Sequence, residues 1–230
     1  MNLFNIETID KESYREQTEW CNFWYDNAIN SKTERILIIG DSTARMVRST
    51  LAKLLGKPVD LFATSSSIDD ILFVRQLNSF FCGYFTKYST IFVQVGHHGR
   101  IGKNGKEYAY EDYVKYRSDL IDLIEFLKQF SNNIVIETIF DAVNPKGIIC
   151  FYLCKIGLVK EKYDDEINSV TRRKNEIIAQ LIQSGIMTDI AFLDINTIIK
   201  SHHFIRTDHI HFEKKAKLFI AKQMQKFVKY

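Results

Sequence analysis

From Arg35 onward, apolar and polar positions alternate between two regimes. Short apolar runs appear at "RILIIG", "VDLFAT", "TIFVQVG", "NIVIETIF" and "IAFLDI". Each has the length and the β-branched content of a strand buried on both faces. Between them apolar residues recur at helical spacing over Thr43 to Leu55, Ile68 to Phe81, Tyr110 to Phe130, Asp164 to Ser184 and Glu213 to Val228. Five such runs separated by amphipathic helices predict an α/β fold in three layers, a five-stranded parallel sheet with helices on both faces.

Residues 1–33 read differently, as an N-terminal helical extension packed on the core through Trp20, Phe23, Trp24 and Tyr25. Residues 34–230 form the domain proper, free of linkers, repeats and low-complexity stretches. Two long connections, "GHHGRIGKNGKEYAYED" and "DAVNPKGIICFYLCKIGLVKEKY", follow the third and fourth strands. Open α/β sheets bind ligands at the carboxyl ends of their strands, so both are expected to take part in substrate recognition.

Composition narrows the partners. The 230 residues are 46% apolar, which suffices for one full core, and the formal charge is only +3. The basic C-terminal helix interleaves its lysines with apolar residues, as a solvated helix face does, so no nucleic-acid partner is expected. The amino terminus lacks the basic start and apolar core of a secretory signal, and no run is long enough to span a bilayer. Four cysteines are scattered without zinc-type pairs. These features lead us to expect a cytoplasmic protein without a membrane span. The oligomeric state is not legible.

The first strand ends at Gly40, and Asp41 and Ser42 open the next helix. Both are good helix caps, with Gly56 and Pro58 closing the same helix. Ser42 at the end of a strand also stands where a nucleophile would be displayed. A serine hydroxyl needs a base, and Asp208 and His211 lie three residues apart just before the last helix. At that spacing a carboxylate can orient an imidazole, in the chain order Ser, Asp, His. Arg45, one turn beyond Ser42, projects on the same side, in reach of an acidic group or of a structural partner.

On these two blocks the chain resembles the SGNH (GDSL-type) hydrolases. Gly40-Asp41-Ser42 matches the family's first block, and Asp208-His209-Ile210-His211 matches its Asp-x-x-His. The resemblance covers roughly residues 34–228. It implies a flavodoxin-like fold and a catalytic triad of Ser42, Asp208 and His211. The third block, "VQVGHHGR", carries His98 where the family has asparagine, and "FATSSSIDDI" lacks the glycine of the second. The implied oxyanion donors are therefore Ser42, Ser66 and Ser67 through their N–H groups, with His98 through its ring. "GDSTAR" together with "GHH" resembles the PC-esterase branch, which includes polysaccharide O-acetyl esterases and O-acetyltransferases. Arg45, His97 and Tyr152 are the expected substrate contacts.

The resemblance implies a serine esterase or O-acyltransferase acting on an O-acyl group of a carbohydrate, with acetyl expected, whether small or polymeric. No metal or other cofactor is expected. The paired histidines 97/98, 202/203 and 209/211 lack HExxH or other zinc spacing, and no Walker or GxGxxG spacing marks a nucleotide site. No GxSxG elbow supports an α/β-hydrolase. The rival reading is a catalytically weak carbohydrate-binding module on the same fold, motivated by the altered middle blocks.

Overall fold

The computed structural model describes residues 18–30, 33–83, 87–99, 101–102, 106–107, 110–144, 147–202 and 204–229. In chain order the elements are β1 (Cys21–Trp24), β2 (Ile36–Gly40), α1 (Ser42–Leu55), β3 (Val59–Thr64), α2 (Ile71–Gly83), β4 (Thr90–Gln94) and β5 (Ile101–Gly102). Then follow β6 (Lys106–Glu107), α3 (Tyr110–Leu127), β7 (Ile134–Glu137), α4 (Ile148–Lys155), α5 (Asp165–Gln183), β8 (Ile190–Leu193), α6 (Ile195–Lys200) and α7 (Lys214–Gln225). All five expected strands and all five expected helices are present. β5 and β6 pair as a small hairpin inside the first long connection, and α4 occupies the second.

The main sheet has six strands in the order β1-β3-β2-β4-β7-β8. The five expected strands pair in parallel, and β1 adds an antiparallel edge on β3. Alternation along the strands sends side chains to two cores. Leu37, Ile39, Val93 and Ile136 pack beneath α2, α3 and α5. Ile36, Ile38, Phe92 and Val135 pack beneath α1, α6 and α7. Three layers result.

The edge strand corrects the expectation of a helical extension, of which residues 1–17 lie outside the described residues. Cys21–Trp24 is a strand because its backbone completes the ladder of β3, and because its aromatics alternate rather than form one stripe. Phe23 packs on Phe62 and Phe80, and Tyr25 stacks on Phe80 at 4.8 Å. Trp24 lies under the Arg48 guanidinium. Below the sheet, the fully buried Arg35 meets Asp60 with two hydrogen bonds, one of 2.9 Å from Nε and one of 2.5 Å. Asp60 also accepts from Tyr88 and from the Asp26 N–H, which fastens the segment after β1 to the body.

Among the described residues no helix is long and apolar enough to cross a membrane. One carboxyl among the described residues is buried without a compensating charge. Glu137, at the end of β7, alternates to the same side as Val135, beneath the α1 and α7 layer. Its Oε1 has no hydrogen-bond partner among the described residues. Burial pushes this carboxyl up to about 8 from an ordinary 4.5. Between those values the folded chain keeps a proton that the unfolded chain has released, so stability falls as pH rises through that window. Glu137→Gln is expected to remove this slope. In chemical denaturation its advantage over wild type should grow by about 2 kcal/mol or more from about pH 5 to about pH 8.5. An advantage that does not change with pH would show that Glu137 is not the titrating group.

Candidate active site

The first two parallel strands to leave the middle of the sheet are β2 and β4, and the chain turns away from them in opposite directions. This is the switch point at which doubly wound sheets open a crevice. Gly40 ends β2 there, opposite Gln94. A Cβ on Gly40 would stand 2.5 Å from the Gln94 carbonyl oxygen and 2.7 Å from Ala44 Cβ, so only glycine lets α1 begin this close to β4. Asp41 caps α1, its Oδ1 accepting the Thr43 N–H at 2.8 Å. The Thr43 hydroxyl lies 2.7 Å from Asp41 Oδ1 and 2.6 Å from Gln94 Oε1, and Gln94 Nε2 donates to the Thr138 carbonyl. Ser42 is thereby fixed as the first residue of α1, half-buried, and its Oγ makes no hydrogen bond to another described residue.

Asp41 is buried, and its Oδ2 has no hydrogen-bond partner among the described residues. Burial pushes its carboxyl up. The charges of His97 and His98 and the bonds from Thr43 outweigh that and hold it below the usual range. His97 was expected at the substrate. At 2% exposure it is packed inside instead, where its electrostatic partner is Asp41. A ring with so little surface supports the turn rather than touching a ligand.

The loops after β3 and β4 meet. Ser67 Oγ donates to the His98 carbonyl at 3.4 Å. Ser66 is corrected as an oxyanion donor, because its N–H is committed to Thr64 Oγ1 at 3.0 Å. Ser67 and His98 thus sit on the loops that leave the two strands flanking β2. Trp20, read as a core residue, packs against the core beneath α1 and α7 and also reaches these loops. Its backbone exchanges hydrogen bonds with Ser65, and its ring meets His98 edge-on with centroids 6.2 Å apart. Arg45 is exposed and lies over the Trp20 ring at 4.9 Å, with Nη1 donating to Asn22 Oδ1. Its observed partners are the N-terminal segment.

The last expected block is a short turn between two bridged residues, Arg206 and Phe212. Asp208 Oδ1 accepts the N–H groups of Ile210 and His211, both at 2.8 Å, and Oδ2 lies 2.7 Å from His211 Nδ1. Burial acts to raise the Asp208 carboxyl, but these N–H bonds and the imidazole outweigh it and hold it below the usual range. An ionised carboxylate only accepts, so in the neutral ring it selects the Nδ1–H tautomer, whose Nε2 carries the lone pair. The neighbouring Phe212 N–H reaches Met46 Sδ at 3.5 Å, which ties the turn to the first turns of α1. Among the described residues no hydrogen bond joins Ser42 Oγ to His211. His202 stacks on Phe204 and meets Phe219 at a tilt, and His203 lies outside the described residues.

Several positioning residues escaped the sequence reading. Lys174 of α5 is fully buried and donates to the carbonyls of Gly96 (3.0 Å) and His98 (3.4 Å). Asn175 takes both the N–H and the carbonyl of Ile139, and Asn168 does the same at Ala142. Arg206 donates to the Asp141 carbonyl at 2.8 Å and to Glu161 at 3.2 Å. A signal for Lys174 was present: it falls at core spacing between Thr171 and Ile177 on α5. Tyr152, expected at the substrate, is exposed on α4, where it meets Phe151 edge-on. A cavity of about 540 Å³ opens between α2 and α3 from Ile68 onward, and none of the expected site residues lines it.

No family model matches the chain, and no curated protein matches it by sequence. Solved structures do. One neighbour, from Slackia heliotrinireducens and assigned to the SGNH hydrolases, has a TM-score of 0.56 at 16% identity, covering 86% of this chain and 100% of that one. A catalytic mutant of an acetylxylan esterase from Geobacillus stearothermophilus has a TM-score of 0.54 at 13% identity, with 86% and 94% covered. The catalytic domain of a peptidoglycan O-acetyltransferase from Streptococcus pneumoniae has a TM-score of 0.52 at 16% identity, with 85% and 92% covered. The architecture of this chain is thus the SGNH hydrolase fold.

Proposed function

We propose that the chain is a serine esterase-type enzyme that removes or transfers an O-acyl group, acetyl in the first instance, on a carbohydrate. The observation that carries the reading is the 2.7 Å contact between His211 Nδ1 and Asp208 Oδ2, on a turn anchored to α1 through Phe212 and Met46. That contact fixes the orientation of the ring, which in this reading serves as the base for Ser42. The acetylxylan esterase and the peptidoglycan O-acetyltransferase among the structural neighbours support the substrate class.

In this mechanism Ser42 Oγ attacks the acyl carbonyl while His211 Nε2 takes its proton. Asp208 stays ionised and stabilises the imidazolium. The N–H groups of Ser42 and Ser67 and the ring of His98 receive the developing oxyanion. Collapse breaks the ester C–O bond, and His211 returns the proton to the leaving sugar oxygen. Water then resolves the acyl-enzyme in a hydrolase, and a second sugar hydroxyl does so in a transferase. The unmade Ser42–His211 hydrogen bond is closed by substrate in this scheme, because catalytic bonds in empty sites are often long.

That same unmade bond favours the second reading, a carbohydrate-binding module with little catalysis. Kinetics separates the two. Acetate release from acetylated xylo-oligosaccharide or p-nitrophenyl acetate is expected to fall about a thousandfold or more in kcat for Ser42→Ala. Asp208→Asn should cost a similar order, because it no longer enforces the base tautomer. Equal turnover by wild type and Ser42→Ala would remove the enzyme reading. A sulfonyl fluoride is expected to modify Ser42 in peptide mass mapping, and to do so far more slowly in Asp208→Asn. Labelling spread over other serines at the same rate in both proteins would show that Ser42 is not activated.

A further inference from the structure

The connection from β7 to α5 leaves the body and returns to it through a closed stem. Val143 bridges Tyr163, the Asn144 N–H donates to the Lys162 carbonyl at 2.8 Å, and Asp164 N–H donates to Ala142. The stem is fixed to the turn that carries the candidate dyad, since Val143 N–H donates to the His209 carbonyl at 2.8 Å. Glu161 is also bound by the backbone N–H and the guanidinium of Arg206. A rigid base therefore holds the excursion.

The excursion presents a surface that ordinary helix packing does not produce. On α4 only Cys154 is buried, while Ile148 and Ile149 are 74% exposed and Tyr152 is 57% exposed. Past the helix, Ile156 is 67% and Leu158 71% exposed. A helix on a soluble body turns polar residues to water, and contiguous exposed apolar groups of this size mark an interaction surface. Charge surrounds the patch on one side of the ledger. Lys155, Lys160 and Lys162 are exposed at its margin, whereas the lone carboxylate of 147–162, Glu161, is already neutralised by Arg206. Of the nearby acidic residues, Asp164 closes the stem and caps α5, and Asp165 and Glu166 follow in the first turn of that helix.

We propose that this excursion is a docking surface for an anionic lipid bilayer. Ile148, Ile149 and Leu158 would enter the acyl boundary, Tyr152 the interfacial layer, and the three lysines the anionic headgroups. Apolar side chains ringed by lysines, with an amphipathic tyrosine between, are the chemistry of segments that lie in the interface without crossing it. A second copy of this chain fits less well. A symmetric contact through the same patch would set its lysines against one another. Because the stem is bonded to His209, docking would also hold the candidate dyad close to the bilayer surface.

The test is co-sedimentation of the full chain with vesicles of phosphatidylcholine alone and of phosphatidylcholine mixed with phosphatidylglycerol. Selective pelleting with the mixed vesicles, weakened by salt, is expected. Lys155→Glu with Lys160→Glu should reduce it about tenfold or more, at roughly 1 kcal/mol per basic residue. Ile148→Ser with Ile149→Ser and Leu158→Ser should abolish it, with an unchanged circular dichroism spectrum. No pelleting above that of protein alone would overturn the proposal. So would wild-type binding by the serine variant, or self-association without vesicle binding that this variant loses. Binding is read without turnover, so failure here leaves the esterase reading standing, and an inactive enzyme leaves this one standing.

Discussion

The backbone that leaves the sheet at its carboxyl end is buried, and every polar group on it needs a partner that no neighbouring strand supplies. Residues 139–143 run beneath the surface after β7. Side chains of α5 and α6 replace the missing ladder: Asn175 for Ile139, Asn168 for Ala142 and Asn196 for the Asp141 N–H. Lys174 does the same for the loop after β4 through the Gly96 and His98 carbonyls. These amides and this ammonium act as a second set of strands. Without them the loops would have to rise into water, and the crevice would lose its floor.

What rests on that floor is the geometry of the candidate dyad. Val143, at the end of the braced stretch, donates to His209, and Arg206 bonds the Asp141 carbonyl. The turn from Arg206 to Phe212 is therefore positioned from below by α5, and from the side by Met46 of α1. Ser42 is positioned by a separate route, through Asp41, Thr43 and Gln94 to the Thr138 carbonyl. Both routes end on the same β7 loop. The two halves of the proposed site, distant in sequence, share one mechanical reference.

Much of this was legible, and what was not has physical reasons. Strands buried on both faces and helices with one apolar stripe announce themselves through periodicity, so β2, β3, β4, β7 and β8 and five helices could be read directly. β1 could not. Four residues with two exposed aromatics carry no clear period, and pairing with β3 decides their conformation. The short α4 and α6 fall below the length at which a helical pattern separates from an apolar run. The motif residues were visible as types at a spacing. Lys174 showed only through its core spacing on α5, and Asn168 and Asn175 did not show, because a polar residue on a helix is read as its wet side until the backbone it serves is known.

The altered middle block is easier to understand from the Asp41 turn than from the oxyanion hole. A buried carboxylate with one oxygen unbonded is costly unless positive charge stands near it. Beside His97 and His98, and with the bonds from Thr43, the Asp41 carboxyl is held below its usual range, in the acceptor form that caps α1 and aligns Thr43. Placing histidines after Gly96 therefore stabilises the turn that displays Ser42. The backbone allows it, since Gly96 itself has φ +135° and a Cβ there would lie 2.4 Å from Ile139 Cδ1. The third block thus bears on the Asp41 turn of the first, and its His98 ring also stands beside Trp20.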